Sequence, residues 1–256
     1  MHTLYNAEKD RYLDDELDIS YLSSIAHFVN ERQETRASSI ESIVVCYPMN
    51  DPKNKDHLPA GLEELAKLEA IFERHQLRSL VGPESNSIDF IKIKSPSILH
   101  VITHGYFNEY EAIKADDDWV VNDYRSFDLE APVSEEPLFN SGLLMNDEAL
   151  SAFTVSTMDL KHTELAVLSA CESALGAQVH GAGTHGLIRA FQIAGVKRVI
   201  AAMWKVSDKA TAYFMGKFYQ QLVKHNNYAE SLVYARQQTR IKFPEPRDWG
   251  GFLIFH

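Results

Sequence analysis

SILHVITHGYF, residues 97–107, and ELAVLSACESALG, residues 164–176, carry the reading of the fold. Each holds a continuous apolar run, Ile98–Thr103 and Leu165–Ser169, that leads directly into chemistry-bearing residues, His104-Gly105 in the first and Cys171-Glu172-Ser173 in the second. Short unbroken apolar runs bounded by turn residues read as strands buried on both faces, the habit of parallel sheets. Outward from these two runs the same grammar continues. Ile43–Cys46 reads as a strand, residues 61–75 as a helix, and Ser79–Val81 as a further short strand. Beyond residue 169, the periodicity predicts a helix over 184–194, a strand over 198–202, helices over 208–224 and 228–242, and a last strand over 252–255. Alternation of this kind predicts an α/β fold with a mostly parallel central sheet flanked by helices on both faces.

Two regions stand outside that alternation. Residues 1–39 read as a helical appendage and linker, because Leu17, Tyr21, Leu22, Ile25, Phe28 and Val29 recur at helical spacing before a polar stretch; residues 40–256 form the main domain. Within it, residues 106–140 form a long acidic insertion with ten Asp and Glu against Lys114 and Arg125, a local charge of −8. Loops of this length in compact domains are usually functional or disordered. Ser141–Asn146 then reads as a short strand and turn running into Glu148–Phe153, a small hairpin beside the main sheet.

Composition narrows the function. With 256 residues the chain can bury an apolar core unaided, and its formal charge of −11 disfavours direct nucleic-acid binding. No apolar run is long enough to span a bilayer and the N-terminus lacks the layout of a secretion signal, so a cytoplasmic protein with no membrane partner is expected. Two cysteines suit a reducing compartment and support neither a disulfide framework nor a cysteine-rich metal site.

His104 and Cys171 are the residues from which chemistry is expected. In an open parallel sheet the strands deliver side chains to a crevice at their carboxyl ends, and both residues sit at such ends. A thiol is only partly ionised near neutral pH, so a nucleophilic cysteine gains from an imidazole that orients or deprotonates it. Cys46, inside the apolar IVVCYP run, reads as core. His180 and His185 lack a further ligand at metal spacing, so no metal and no cofactor is expected.

The stretches LAVLSACESALG, residues 181–222 from GAGTHGLIRAF to FYQQL, AESLVYARQQ and DWGGFLIF, with HVITHGYF and SGLLMNDEAL, resemble the CHAT domain. This family of caspase-like cysteine peptidases is often attached to tetratricopeptide repeats. The resemblance is extended from about Ile98 to Phe255, weaker over 40–96 and absent before Ile40. It implies a caspase-like fold and a dyad in which Cys171 attacks the scissile carbonyl and His104 handles the proton. The backbone N–H groups of Gly105 and Cys171 would then face the oxyanion, with Glu172, Trp204 and Asp208 at the substrate. Asp208 reads equally as a first-turn acid of the helix that follows. Gly181-Ala182-Gly183 stands where the family usually has Gly-Glu-Gly, and Ser169 where caspases have glutamine, so aspartate specificity is not implied.

The function this implies is endoproteolysis of a partner protein, in a bacterial defence or cell-death pathway such as activation of a gasdermin-like pore former. The sensor or activator would be a separate chain or a removed segment. Two other readings remain open: a catalytically silent caspase-like interaction module, and a Cys-His hydrolase of small amides.

Overall fold

In the computed structural model, residues 5–6, 11–12, 40–48, 51, 53, 57–107, 137–169 and 182–256 are described. Their elements are, in chain order, β1 Tyr5–Asn6, β2 Arg11–Tyr12, β3 Ser42–Tyr47, α1 Gly61–Ile71, β4 Gln76–Val81, α2 Ser87–Ile91, β5 Ile98–Val101, β6 Gly105–Phe107, α3 Pro137–Asn140 and β7 Ser141–Leu144. There follow β8 Ala149–Ser151, α4 Ala152–Ser156, β9 Leu165–Leu168, α5 Ala182–Ile193, β10 Arg198–Ala202, α6 Asp208–His225, α7 Tyr228–Lys242, α8 Pro246–Trp249 and β11 Phe252–Phe255.

The central sheet has the order β11-β10-β9-β5-β3-β4, with every pair parallel except β10 and β11. Strand alternation divides its side chains between two cores. Ile43, Val45, Ile98, Leu165, Val167 and Ile200 pack with Leu65 and Leu68 of α1, Phe214 and Phe218 of α6 and Leu232 of α7. On the opposite face, Val44, Cys46, Leu99, Val101, Ala166 and Leu168 meet Phe90 of α2, Val155 of α4 and Leu187 and Phe191 of α5. This is the helix-covered, mostly parallel α/β sheet that the apolar runs predict. None of the described helices is long and apolar enough to cross a membrane.

Three elements differ from the periodicity, each for a physical reason. SILHVITHGYF does not continue as one strand: β5 stops at Val101, and β6 joins a separate antiparallel sheet of order β6-β7-β8. The expected hairpin of β7 and β8 is therefore completed by the chain that follows His104. α1 ends at Ile71 rather than near His75, where the polar Glu73-Arg74-His75 leads into β4. β4 starts at Gln76, earlier than its apolar residues suggest, because it pairs with all six residues of β3. As an edge strand it alternates exposed or half-buried side chains, so Gln76 and Arg78 mask its period.

Local chemistry explains the helix boundaries of the C-terminal half. Ser207 caps α6 by accepting from the Ala210 N–H, and Asn226 closes the helix in the left-handed region at φ 54°. The next residue, Asn227, caps α7 by accepting from the Glu230 N–H. Gly195 ends the turn after α5 at φ 106°, where an added Cβ would also lie 2.7 Å from the Lys161 Cα. The expected helix over 17–29 lies outside the described residues, as does the acidic insertion from 108 to 136.

Candidate active site

β3, β5, β9 and β10 run parallel, so Tyr47, the Ile102–His104 connection, Ser169 and the Met203–Ser207 turn all leave from one edge of the sheet. β5 and β9 are immediate neighbours there. Val101 is opposite Leu168, and the Ser169 N–H donates to the Val101 carbonyl at 2.9 Å. His104 follows Val101 by three residues. Cys171 and Glu172 lie outside the described residues, which reach Ser169 on that side. His180 also lies outside them.

The backbone around His104 is held on both sides. The Ile102 N–H donates to the Cys46 carbonyl at 2.8 Å, and the Thr103 hydroxyl donates to the Leu144 carbonyl. The Leu144 N–H in turn donates to the His104 carbonyl at 2.9 Å, which anchors the half-buried histidine to the hairpin. That bond also sets the direction of the next amide. Residues of an antiparallel pair alternate between hydrogen-bonded and non-bonded positions. With His104 opposite Leu144 in a bonded position and Gly105 opposite Leu143, the Gly105 N–H points away from β7. Gly142 lets β6 lie this close: a Cβ there would be 2.1 Å from the Leu150 carbonyl oxygen and 2.5 Å from the Tyr106 ring.

Trp204 lies in the turn after β10, and Asp208 follows that turn. The Trp204 indole N–H donates to the Arg247 carbonyl at 2.8 Å, tying this turn to α8. Asp208 is the first residue of α6, where the helix dipole favours a carboxylate. Its charge is also felt at Tyr47: burial, then the Asp208 and Glu64 charges, push that phenol up to about 12. Cys46 is fully enclosed, and burial pushes its thiol up to about 12, the behaviour of an inert core cysteine.

Sequence reading missed a buried polar cluster beneath this edge. Glu64, 3% exposed, receives the Ser169 hydroxyl at 2.7 and 2.9 Å from its two carboxylate oxygens and lies 2.8 Å from His100 Nε2. The other ring nitrogen, His100 Nδ1, is 2.9 Å from the Tyr219 hydroxyl, and His100 is 0% exposed. Burial and the Glu64 charge push the Tyr219 phenol well above its ordinary value, so it remains a hydroxyl. The signal was present: Glu64 shares a helical stripe with Leu68 and Phe72, and His100 interrupts the apolar strand on the inward parity of Ile98 and Ile102.

The cluster is not a serine-hydrolase triad. Ser169 bonds to the carboxylate rather than to the imidazole, and at 3% exposure it offers no path to substrate.

Comparison with known proteins agrees with this architecture. The profile of the CHAT domain matches residues 1–255, including the N-terminal segment where the motifs show no resemblance. Tetratricopeptide repeat protein 28 of Mus musculus is 34% identical over 100 residues, which are 38% of this chain and 4% of that protein. A chain of the Saccharomyces cerevisiae separase–securin complex superposes with a TM-score of 0.59 at 12% identity, covering 97% of this chain and 14% of that one. The Arg-specific cysteine proteinase gingipain R superposes with a TM-score of 0.52 at 10% identity over 88% of this chain and 48% of its own. At these identities the two structures share the fold, a caspase-like α/β architecture, while the profile match fixes the family: the chain belongs to the CHAT-domain family.

Proposed function

We propose that this chain is a cysteine endopeptidase in which Cys171 is the nucleophile and His104 its proton partner. The observation that carries the reading is the register of β5 and β9. Val101 lies opposite Leu168, His104 is three residues past the first, and Cys171 is three residues past the second. The Ser169 N–H bond to Val101 keeps the two strand ends adjacent one residue further.

In the reaction, His104 accepts the Cys171 thiol proton and the thiolate sulfur adds to the scissile carbonyl carbon. The oxyanion meets the Gly105 N–H, which the ladder directs away from β7, and the Cys171 N–H. Collapse of the adduct breaks the C–N bond, and the proton returns from His104 to the leaving amine. Water then adds to the thioester, releasing the new carboxylate and restoring the thiol. Glu172, Trp204 and Asp208 would contact the substrate around the cut bond.

The substrate on this reading is a partner protein. Cleavage of a gasdermin-like pore former in a bacterial defence or cell-death pathway, in the cytoplasm and under the control of a separate sensor chain, is the setting proposed. The tetratricopeptide-repeat relative favours a repeat protein as that sensor. Incubation with a peptide library, followed by mass spectrometry of the products, tests the activity. The wild type should yield a consistent cut-site pattern that Cys171→Ala loses. An identical product pattern from both proteins would overturn the assignment of the nucleophile, and no products from either would favour the silent module.

A further inference from the structure

A carboxylate buried to 3% is costly unless its lone pairs are occupied, and replacing a buried ionic cluster with apolar side chains is often neutral or stabilising. The Glu64 cluster therefore calls for a reason other than fold stability. Its position supplies one. From α1, the carboxylate reaches His100 of β5 and Ser169 at the end of β9, and through His100 the cluster reaches Tyr219 of α6. Three elements meet at one carboxyl group, and a fourth joins through the imidazole.

Ser169 is held twice, by its N–H on Val101 and by its hydroxyl on Glu64. Cys171 follows it by two residues, and His104 follows His100 by four. The cluster thus grips both strands just before they hand over to the residues proposed for catalysis.

We infer that Glu64 is a positioning residue for the Cys171–His104 pair, acting through the Ser169 hydroxyl on one strand and the His100 ring on the other. This rests on the endopeptidase reading. The groups facing the carboxylate are Ser169 and His100, with Tyr219 behind the imidazole and Tyr47 near enough for its phenol to feel the charge. Removing the Ser169 hydroxyl leaves that residue held only by its N–H on Val101, while deleting a single oxygen atom. Misplacement of a reacting group by about 1 Å costs up to about 100-fold in rate, so a loosened strand end should appear in turnover before it appears in stability.

The test uses the full chain with Ser169→Ala, Ser169→Thr and Glu64→Gln. Three readouts are taken: kcat and KM on a cleaved peptide, the rate of Cys171 alkylation by iodoacetamide from pH 5 to 10, and the melting temperature. Cys46 does not interfere, because it is fully enclosed. Ser169→Ala should lower kcat about 10- to 100-fold with KM within about twofold, and displace the alkylation profile along the pH axis. Ser169→Thr, which keeps the hydroxyl, should recover most of both. Glu64→Gln should displace the profile in the same direction as Ser169→Ala.

Wild-type kcat and an unmoved alkylation profile in Ser169→Ala would overturn the inference, as would a melting-temperature loss with the profile unmoved. Should Ser169→Ala fail to fold, the profile of Glu64→Gln decides in the same way. If the wild type cleaves nothing, the endopeptidase reading falls alone. The alkylation profile then still decides whether Glu64 positions Cys171.

Discussion

His104 and the two cysteines make the sharpest residue-scale expectations. Replacing His104 with Ala removes the proton partner of the proposed thiolate, so kcat should fall by about 10²- to 10⁴-fold. The fold should survive, since the ring is half-buried and the backbone bonds from Leu144 and Ile102 do not involve it. Peptide turnover and a thermal melt of His104→Ala check both halves. Cys46 should behave in the opposite way. Its side chain lies in the core among Leu80, Phe90 and Val101, so Cys46→Ala should cost about 1 kcal/mol of stability and leave turnover unchanged. A loss of turnover at full stability in Cys46→Ala would reassign the nucleophile.

At the scale of elements, the strand that follows His104 depends on one residue across the ladder. A Cβ at Gly142 would meet the Leu150 carbonyl oxygen at 2.1 Å and the Tyr106 ring at 2.5 Å, the first of which is backbone and cannot turn aside. Gly142→Ala should therefore spread β6 from β7 and β7 from β8. It should cost about 1–3 kcal/mol, the usual range for overpacking. Because His104 is anchored to the same hairpin through Leu144, turnover should fall as well, although Gly142 is remote in sequence. Activity and chemical denaturation of Gly142→Ala measured together check this; unchanged stability would show that the hairpin can shift without cost.

For the molecule as a whole, the buried phenols and the buried thiol predict weakening in alkali. Burial raises Tyr47 and Tyr106 to about 12, raises Tyr219 and Tyr228 well above the ordinary phenol value, and raises Cys46 to about 12. In each case the folded state holds the proton more tightly than the unfolded chain. The contribution is complete below about pH 9 for the phenols and about pH 8 for the thiol, whose ordinary value is 9.0, and it is lost as pH rises toward 12 because the unfolded chain ionises first. Each such group removes up to about 1.4 kcal/mol of stability per pH unit within that window. Melting temperatures from pH 8 to 11.5 should be level at first and fall steeply above about pH 9–10. The net charge of −11 and the acidic segment 106–140 suggest a second property of the whole molecule. If that segment steers substrate, peptides rich in Lys or Arg should be favoured, with kcat/KM falling as salt screens the field over about 8 Å. Replacing Asp116, Asp117 and Asp118 by Asn should reduce the salt slope for basic peptides and leave neutral ones alone; identical slopes would remove the steering role.

By itself, the sequence determined the parallel core, because buried parallel strands must be apolar on both faces and so announce themselves as runs such as LAVL and RVIAA. It also placed His104 at the end of such a run, and Cys171 after another, through motif and strand direction. What only the tertiary structure decided were facts about pairing. β4 was partly hidden because an edge strand exposes Gln76 and Arg78, and the end of β5 was hidden because the apolar run continues past Val101 into a different sheet. Neither is a property of local hydrophobicity. The Glu64 cluster was only half legible for the same reason: Glu64 and His100 fall on apolar faces in the sequence, but their pairing does not show there. Ser169 lies 105 positions from Glu64, and Tyr219 lies 119 from His100. Only the packing of α1 and α6 on one face of the sheet brings these polar groups together.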